Sequence, residues 1–359
     1  MMSNLYVDIN VLQTVPSSNI NRDDTGAPKT AQYGGVTRAR VSSQSWKHAM
    51  RDVFKAEKVS EGLRTKNAAK LLAESITDLD SSLSEDDVTA KVDAVFKTAG
   101  VKLTKDRQTG ALLMVSRGQL EQLAKYALSH DELDKKEVKA VLKGNQSLDL
   151  ALFGRMVADN PELNVEASAQ VAHAISTHEI IPEFDYYTAL DDDQPEDNTG
   201  AAMLGTSEYN SATLYRYANL NLHELMHNIG EEAAIDGALN YIKSFLLSMP
   251  TGKQNSYANK TLPNYVMVSL RTDTPVNLVS AFEKPVKSND GYVEASIKRL
   301  EAEYDSTSQY VEKPELTAVL SKFEAKDLDG VVSATNVDDL LNKVSDGLKK
   351  AVQDENFSD

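Results

Sequence analysis

Residues 223–227 (HELMH) have the spacing H-E-x-x-H, in which two histidines on one helix face can hold zinc. In that chemistry Glu224 is the general base for the metal-bound water, as in a zinc metallopeptidase. The longer form of the motif needs a third histidine, and Ala233 stands at that position. A predicted strand directly precedes the segment and Gly230 soon follows it. We therefore favour a strand-to-helix connection with exposed histidines over a zinc site.

Two other groups of residues have side chains that can bind metal. Asp23 and Asp24 lie in a loop and could hold Mg²⁺ for a metal-dependent ribonuclease, although adjacent carboxylates beside Arg22 also serve to stabilise loops. His173 and His178 are predicted to lie on a helix, where their spacing puts them on different faces, an arrangement poorly suited to chelation. The sequence therefore predicts no bound metal.

A basic stretch at residues 34–51 (GGVTRARVSSQSWKHAMR) combines cations with hydroxyl and amide donors. From Thr25 to Arg51 there are five basic residues and no Asp or Glu, although the whole chain has 54 acidic and 38 basic residues. Cations beside Ser and Gln at the start of a helix hold phosphate oxygens, because the helix end offers free N–H donors and a partial positive charge. The stretch indicates binding to a phosphate backbone, with ordinary surface charge as the alternative.

The overall composition restricts the possible partners and chemistries. A net charge of −16 opposes general adhesion to nucleic acid or anionic lipid, so a polyanion must meet a local basic patch. The absence of cysteine excludes disulfides, thiolate nucleophiles and Cys-ligated metals. No secretory leader or apolar stretch of membrane-spanning length is visible, so we expect a cytoplasmic protein without a membrane span.

Two patterns predict the elements that carry the basic stretch. Apolar residues at alternate positions over residues 5–11 predict a strand with one buried face. After a loop rich in turn formers at residues 16–35, apolar residues over 46–54 recur at helical spacing. They predict a helix with Ser42 or Ser43 as its N-cap.

The remaining segments predict an α+β domain with insertions. Residues 65–177 are rich in Ala, Leu, Lys, Asp and Glu and predict a helical block, while the polar residues 183–200 predict an exposed loop or hairpin. Within that loop the acidic run 191–193 is expected to be solvated. Three later segments are predicted as strand, helix and strand: residues 211–220, 231–249 and 265–270. A sheet domain interrupted by a helical insertion and a protruding loop accounts for this order.

Several sequence blocks, in a fixed order, carry a resemblance to a known family. They are NRDD (21–24), GG (34–35), RARVSSQSWKHAMR (38–51), DLALFGRM (149–156), AHAISTHEI (172–180), DYYTALDD (185–192), LGTSEYNSATLYRYANLNL (204–222) and SYA (256–258). With these blocks the chain resembles the CasC family, the repeated backbone subunit of the type I-E CRISPR complex Cascade. The resemblance runs from the N-terminus to about residue 293.

The resemblance implies a modified RRM-like (ferredoxin-like) palm at residues 1–60 and 211–359, the latter part including C-terminal helices. It places helical fingers at 61–182 and a thumb loop or hairpin at 183–210. Copies of the family stack head to tail along a CRISPR guide RNA, hold its backbone and kink it at intervals for pairing with target DNA. The expected partners are thus guide RNA, target DNA through the guide, further copies and other Cascade subunits, in a cytoplasmic antiviral ribonucleoprotein that is no enzyme and needs no cofactor.

The resemblance also implies which residues contact RNA. The expected phosphate and ribose contacts are Arg22, Lys29, Arg38, Arg40, Ser42, Gln44, Lys47 and Arg51. Groups expected against the kinked nucleotides are Arg155 and Met156, and those of the thumb are Tyr186, Tyr187 and Thr188. The histidines of HELMH are not part of the family pattern, which weakens the zinc hypothesis further.

Overall fold

The structure, a computed structural model, describes residues 4–59, 62–157, 160–189, 203–324 and 328–356. It divides into two units. Unit 1 comprises Met1–Met50, Val171–Asn219 and Ile242–Asp359, and unit 2 comprises Arg51–Gln170 and Leu220–Tyr241. Within the described ranges, no helix has the length and apolar character needed to cross a membrane.

Strands and helices are interspersed along the chain. The strands are β1 (Tyr6–Ser18), β2 (Thr30–Tyr33), β3 (Val36–Val41), β4 (Gly62–Thr65), β5 (Leu113–Ser116), β6 (Ala169–Val171), β7 (Ala174–Ser176), β8 (Glu183–Ala189), β9 (Met203–Asn221), β10 (Tyr265–Arg271), β11 (Leu316–Ser321) and β12 (Val331–Ser333). The helices are α1 (Ser43–Ala56), α2 (Ala68–Leu79), α3 (Glu85–Ala99), α4 (Arg117–Ser129), α5 (Lys135–Lys143), α6 (Leu148–Phe153), α7 (Leu222–Ile229), α8 (Glu231–Leu247), α9 (Gln254–Tyr257), α10 (Val293–Thr307) and α11 (Val337–Asn356). Short 3₁₀ helices lie at Pro161–Leu163 and Leu278–Phe282. The predicted α+β class is confirmed.

Unit 1 is built on a mixed sheet in the order β12-β11-β10-β1-β9-β7-β3-β2, with β6 and β8 also paired to β9. The first strand is central: β1 pairs antiparallel with β10, with Val7 opposite Leu270 and Leu12 opposite Tyr265. Among these strands β11 and β12 run parallel. The strands predicted over residues 5–11, 211–220 and 265–270 are therefore confirmed.

Both faces of β1 are buried, which corrects the prediction of a single buried face. On one face Leu12 joins a cluster with Ile297 and Leu300 of α10. On the other face α11 covers Leu270, the partner of Val7. The polar side chains of β1 are consequently buried too. Tyrosine hydroxyls of β9 satisfy two of them, since the Tyr217 O–H donates to Asp8 Oδ1 and the Tyr215 O–H to Asn10 Oδ1, both at 2.7 Å.

Asp8 is expected to make stability depend on pH. Burial raises the pKa of its carboxyl from 3.8 to about 6, against the effect of hydrogen bonds from Tyr217 and Val276. Because the folded protein holds this proton more tightly than the unfolded chain, the free energy of unfolding falls as pH rises from 3.8 to about 6. The Asp8→Asn variant lacks this loss, so its unfolding free energy relative to wild type should increase by about 2 kcal/mol between pH 4 and pH 7. Urea unfolding across that range measures it, and parallel curves for both proteins would contradict it.

Unit 2 contains a core of its own. Helices α2 to α5 pack around Leu72, Val92, Leu123 and Val138, and the two-stranded antiparallel sheet of β4 and β5 lies beside them. Helix ends follow capping rules. Ser84 Oγ accepts the Asp87 N–H at the start of α3, and Ser116 and Gln119 form a reciprocal capping box on α4. The helices α2 to α6 confirm most of the predicted helical block.

Strands interrupt that predicted helical block, and this part of the prediction was wrong. Within residues 65–177 lie β5, β6 and β7, of which β6 and β7 have three residues each. Apolar runs this short do not distinguish helix from strand by periodicity. His173 and His178 consequently lie on either side of β7 and not on a helix. The helix predicted over residues 231–249 is confirmed as α8.

Candidate nucleic-acid interface

The loop before β2 is held by its own polar groups. Arg22 forms a β-bridge with Pro28, and the Lys29 N–H donates to Asn21 O at 2.9 Å. The Asp23 carboxylate accepts hydrogen bonds from the side chain and backbone of Thr25, at 2.7 and 2.9 Å, which hold its pKa below the usual range. Asp23 therefore stabilises the loop, the alternative to metal binding considered for this carboxylate.

The N-terminus of α1 is capped by residues from three segments. Ser42 is the N-cap, since its Oγ accepts the Ser45 N–H at 3.3 Å, and Asn21 Oδ1 in turn accepts the Ser42 N–H at 2.8 Å. The Ser43 N–H donates to His173 Nδ1 at 3.1 Å. Ser42 is buried in this role, whereas Gln44 is exposed. The first turn contains no acidic residue, so nothing there opposes binding of an anion.

Lys29 and Arg40 lie side by side next to this helix end. The Arg40 N–H donates to Lys29 O at 2.9 Å, and both residues line a cavity of about 20 Å³ with Asn21. A space of that size holds one water at most, so a larger ligand must bind on the surface outside it. We call Arg22, Lys29, Arg40 and the first turn of α1 the basic patch.

Arg38 differs from its neighbours, and the structure argues against its predicted role in phosphate contact. Its side chain is fully buried. The guanidinium donates to four backbone oxygens: Tyr33 O at 3.1 Å, Ser176 O at 2.9 Å, Phe282 O at 2.8 Å and Glu283 O at 3.3 Å. Arg38 therefore fastens the β2–β3 hairpin to the 3₁₀ helix Leu278–Phe282. Alternation along β3 puts Arg38 and Arg40 on the same face, so the sequence pattern could not separate their roles.

Helix α1 carries two more of the predicted cations. Lys47 is half-buried, and burial lowers its pKa. Arg51, in unit 2, donates from Nε to Asp149 Oδ2 at 2.8 Å and from Nη2 to Gly62 O at 3.0 Å. The Arg51 side chain retains 20% exposure, but its charge is already paired. Phosphate contact by Lys47 and Arg51 stays a prediction.

Arg155 and Met156, both in unit 2, have opposite environments. Arg155 is buried and donates to Leu163 O, Met114 O and Leu142 O at 2.8, 3.0 and 2.8 Å, and burial lowers its pKa to about 10. These contacts argue against the predicted contact of Arg155 with nucleotides. Met156 is 83% exposed and is accessible to a ligand.

Strands β8 and β9 form an antiparallel hairpin at the predicted thumb. Tyr186 lies opposite Thr206 and Tyr187 opposite Gly205. A Cβ at Gly205 would lie 2.5 Å from the Tyr187 ring, so that ring covers the glycine. Thr188 is exposed on the same face as Tyr186, whereas the acidic run 191–193 lies outside the described residues.

The exposed apolar face of this hairpin includes residues that the sequence analysis missed. Phe184 is two positions before Tyr186 and therefore on the same face, and Leu204 lies opposite Thr188 on that face. The exposures of Phe184, Tyr186 and Leu204 are 67%, 66% and 58%. The alternation of Phe184, Tyr186 and Thr188 in a polar segment was the signal that could have identified this face. Tyr186, rather than Tyr187, belongs to it.

The HELMH segment forms the short helix α7, which connects β9 to α8 in agreement with the favoured strand-to-helix interpretation. Asn221 caps the helix by accepting the Glu224 N–H at 3.2 Å. His227 is exposed, whereas His223 is half-buried. In the ranges that the structure describes, no group of three or more His, Asp or Glu side chains is placed to hold a metal ion.

Comparison with known proteins relates this architecture to others. The sequence model of the family described as CT1975-like protein matches residues 7–345. A chain of a structure described as "CRISPR RNA-guided surveillance complex, pre-nicking" has a TM-score of 0.83 and 30% identity, covering 95% of this chain and 99% of that chain. A chain of a "CRISPR RNA-guided surveillance complex" has a TM-score of 0.75 and 26% identity, with coverage of 95% and 99%. No curated protein matches the chain. The large mixed sheet and its helices are thus shared with chains of such complexes.

Proposed function

Since the chain belongs to the CT1975-like protein family, we propose that it is a guide-RNA-binding backbone subunit of a CRISPR RNA-guided surveillance complex. The observation that carries the proposal is the basic patch: cations and helix N–H groups, without an acid in the first turn of α1, in a chain of net charge −16. The strong likeness to chains of such complexes, at 30% and 26% identity, supports it.

In this proposal the protein recognises the RNA backbone and not its sequence. Arg22, Lys29 and Arg40 neutralise phosphates, and the helix end and Gln44 donate hydrogen bonds to their oxygens. Sequence is selected by base pairing between the guide and target DNA. Binding and positioning suffice for this role, so we propose no catalytic step and no cofactor.

We further propose that the complex is of the type I-E Cascade kind and that copies of this chain stack along the guide beside other Cascade subunits. Unit 1 then supplies the RRM-like palm and unit 2 the fingers. The β8–β9 hairpin is the thumb. Its exposed apolar face, with Phe184 and Tyr186, suits stacking against a nucleotide base and can stabilise a kink in the RNA.

Charge reversal in the basic patch tests the proposed function. The Arg22→Glu/Lys29→Glu variant should bind single-stranded RNA at least about tenfold more weakly than wild type. If two phosphate contacts are lost, the magnitude of the negative slope of log K against log salt concentration should decrease by about 1.4. Fluorescence anisotropy at several salt concentrations measures both quantities.

A matched control carries the same change of charge elsewhere. Lys349 and Lys350 are exposed on α11, which packs on β10 and β11, on the far side of the sheet order from β2 and β3. The Lys349→Glu/Lys350→Glu variant should retain most of the wild-type affinity. Equal losses of RNA affinity in the two double variants would mean that binding depends only on the net charge of the protein, and the proposed interface would be wrong.

A further inference from the structure

His173 occupies a position at the basic patch where a phosphate oxygen could bind. Its Nδ1 accepts the N–H of Ser43, the first residue of α1, at 3.1 Å. Backbone N–H groups in the first turn have no partner within their own helix and bind phosphate oxygens in many proteins. The imidazole is exposed, so a ligand can reach it. In the RNA-free protein the neutral His173 ring therefore accepts the hydrogen bond of an N–H group that could otherwise bind an anion.

The surroundings of His173 keep its ring neutral. The charged groups that act on it are Arg40 of β3 and Lys29 of the loop before β2, and the first turn of α1 supplies the Ser43 amide and no acid. Partial burial and these two cations lower the pKa of His173. Because Nδ1 accepts a hydrogen bond, the single proton of the neutral ring is on Nε2.

We propose that an RNA phosphate displaces His173 from the Ser43 amide and that the released imidazole takes up a proton from solvent beside that phosphate. This inference rests on the proposed function and adds a residue and a regulation to the same site. Protonation of Nδ1 is incompatible with accepting the Ser43 N–H, so release and protonation occur together. In the bound state the Ser43 N–H and the imidazolium both donate to the phosphate, and no covalent bond of the RNA changes.

The direction of the pH effect follows from the charges. Two neighbouring cations disfavour the imidazolium in the free protein, whereas a bound phosphate favours it and raises its pKa. Between the free and bound values, RNA binding is accompanied by uptake of one proton. Affinity for RNA therefore increases as pH falls, and a difference of one pKa unit corresponds to about tenfold in affinity.

The test measures binding of the full chain to a labelled single-stranded RNA from pH 8 to pH 5.5 at constant ionic strength. The wild-type affinity should rise by roughly tenfold over this range. In His173→Asn, the amide oxygen can still accept the Ser43 N–H but the side chain does not ionise, so affinity should be nearly independent of pH. His48→Asn, which removes an exposed histidine of α1 itself, should keep the wild-type dependence.

A second measurement needs only the wild-type protein, with and without RNA. The NMR titration of the His173 ring should shift to higher pH when the RNA is added. An unchanged His173 titration, or the wild-type pH dependence in His173→Asn, would overturn this inference while leaving the proposed function intact. If the wild-type protein binds RNA at no pH in this range, the proposed function is overturned, and this inference with it.

Discussion

The Arg38→Met variant is expected to lose about 3–5 kcal/mol of unfolding free energy. Methionine fills a similar volume but donates no hydrogen bond, so the backbone oxygens of Tyr33, Ser176 and Phe282 lose their cationic donor. Hydrogen bonds to charged groups contribute about 1.5–3 kcal/mol each, and partial relaxation reduces their sum. Urea unfolding monitored by circular dichroism measures the loss. RNA affinity, measured where the variant is still folded, should change little.

Arg40→Met is the matched control, because Arg40 lies two positions further along β3 and is only half-buried. Its Nε makes one hydrogen bond, to Thr30 O at 3.1 Å. Its replacement should cost under about 1 kcal/mol of stability and weaken RNA binding instead. A stable Arg38→Met protein with weak RNA binding would indicate that Arg38 contacts phosphate, as the sequence predicted, and would contradict its structural role.

Gly34→Ala is the second change with a large expected effect, a loss of about 2–5 kcal/mol of unfolding free energy. Gly34 has φ +61°, and a Cβ there would lie 1.6 Å from Glu283 O, a backbone atom that cannot turn aside. A left-handed conformation costs a residue with a Cβ about 1–2 kcal/mol, and forcing an atom into a packed contact costs about 1–3 kcal/mol more. The β2–β3 turn must therefore separate from the 3₁₀ helix that it packs against. Thermal and urea unfolding report the change.

The adjacent glycine separates these two contributions. Gly35 has φ +78°, but a Cβ there would have no heavy atom within 4 Å. Gly35→Ala should therefore show the conformational cost alone, about 1–2 kcal/mol. Equal destabilisation by the two substitutions would show that the close approach of Gly34 to Glu283 contributes nothing to stability.

Local pattern was sufficient to predict the elements that carry the basic patch. The helical spacing over residues 46–54 identified α1, in which Trp46, Met50 and Phe54 are buried. Ser42 was one of two predicted N-caps. Each of these properties depends on neighbours within one or two helical turns, and such neighbours are visible in the sequence.

The roles of individual cations could not be predicted in the same way. Arg38 is buried because its guanidinium meets Ser176 and Phe282, residues far away in the chain. Arg155 similarly meets Met114. The contribution of His173 to the N-terminus of α1 depends on the pairing of β7 with β3, which no periodicity reveals. Burial and long-range hydrogen bonds decide whether a basic residue is available to a ligand.

The central position of β1 has a consequence for synthesis of the protein on the ribosome. The ribosome adds Val7 about 260 residues before its partner Leu270. At about 5–20 residues per second, the apolar first strand remains without that partner for more than about ten seconds. During that interval it is open to intermolecular pairing, so we expect the nascent chain to depend on chaperones until β10 has left the exit tunnel.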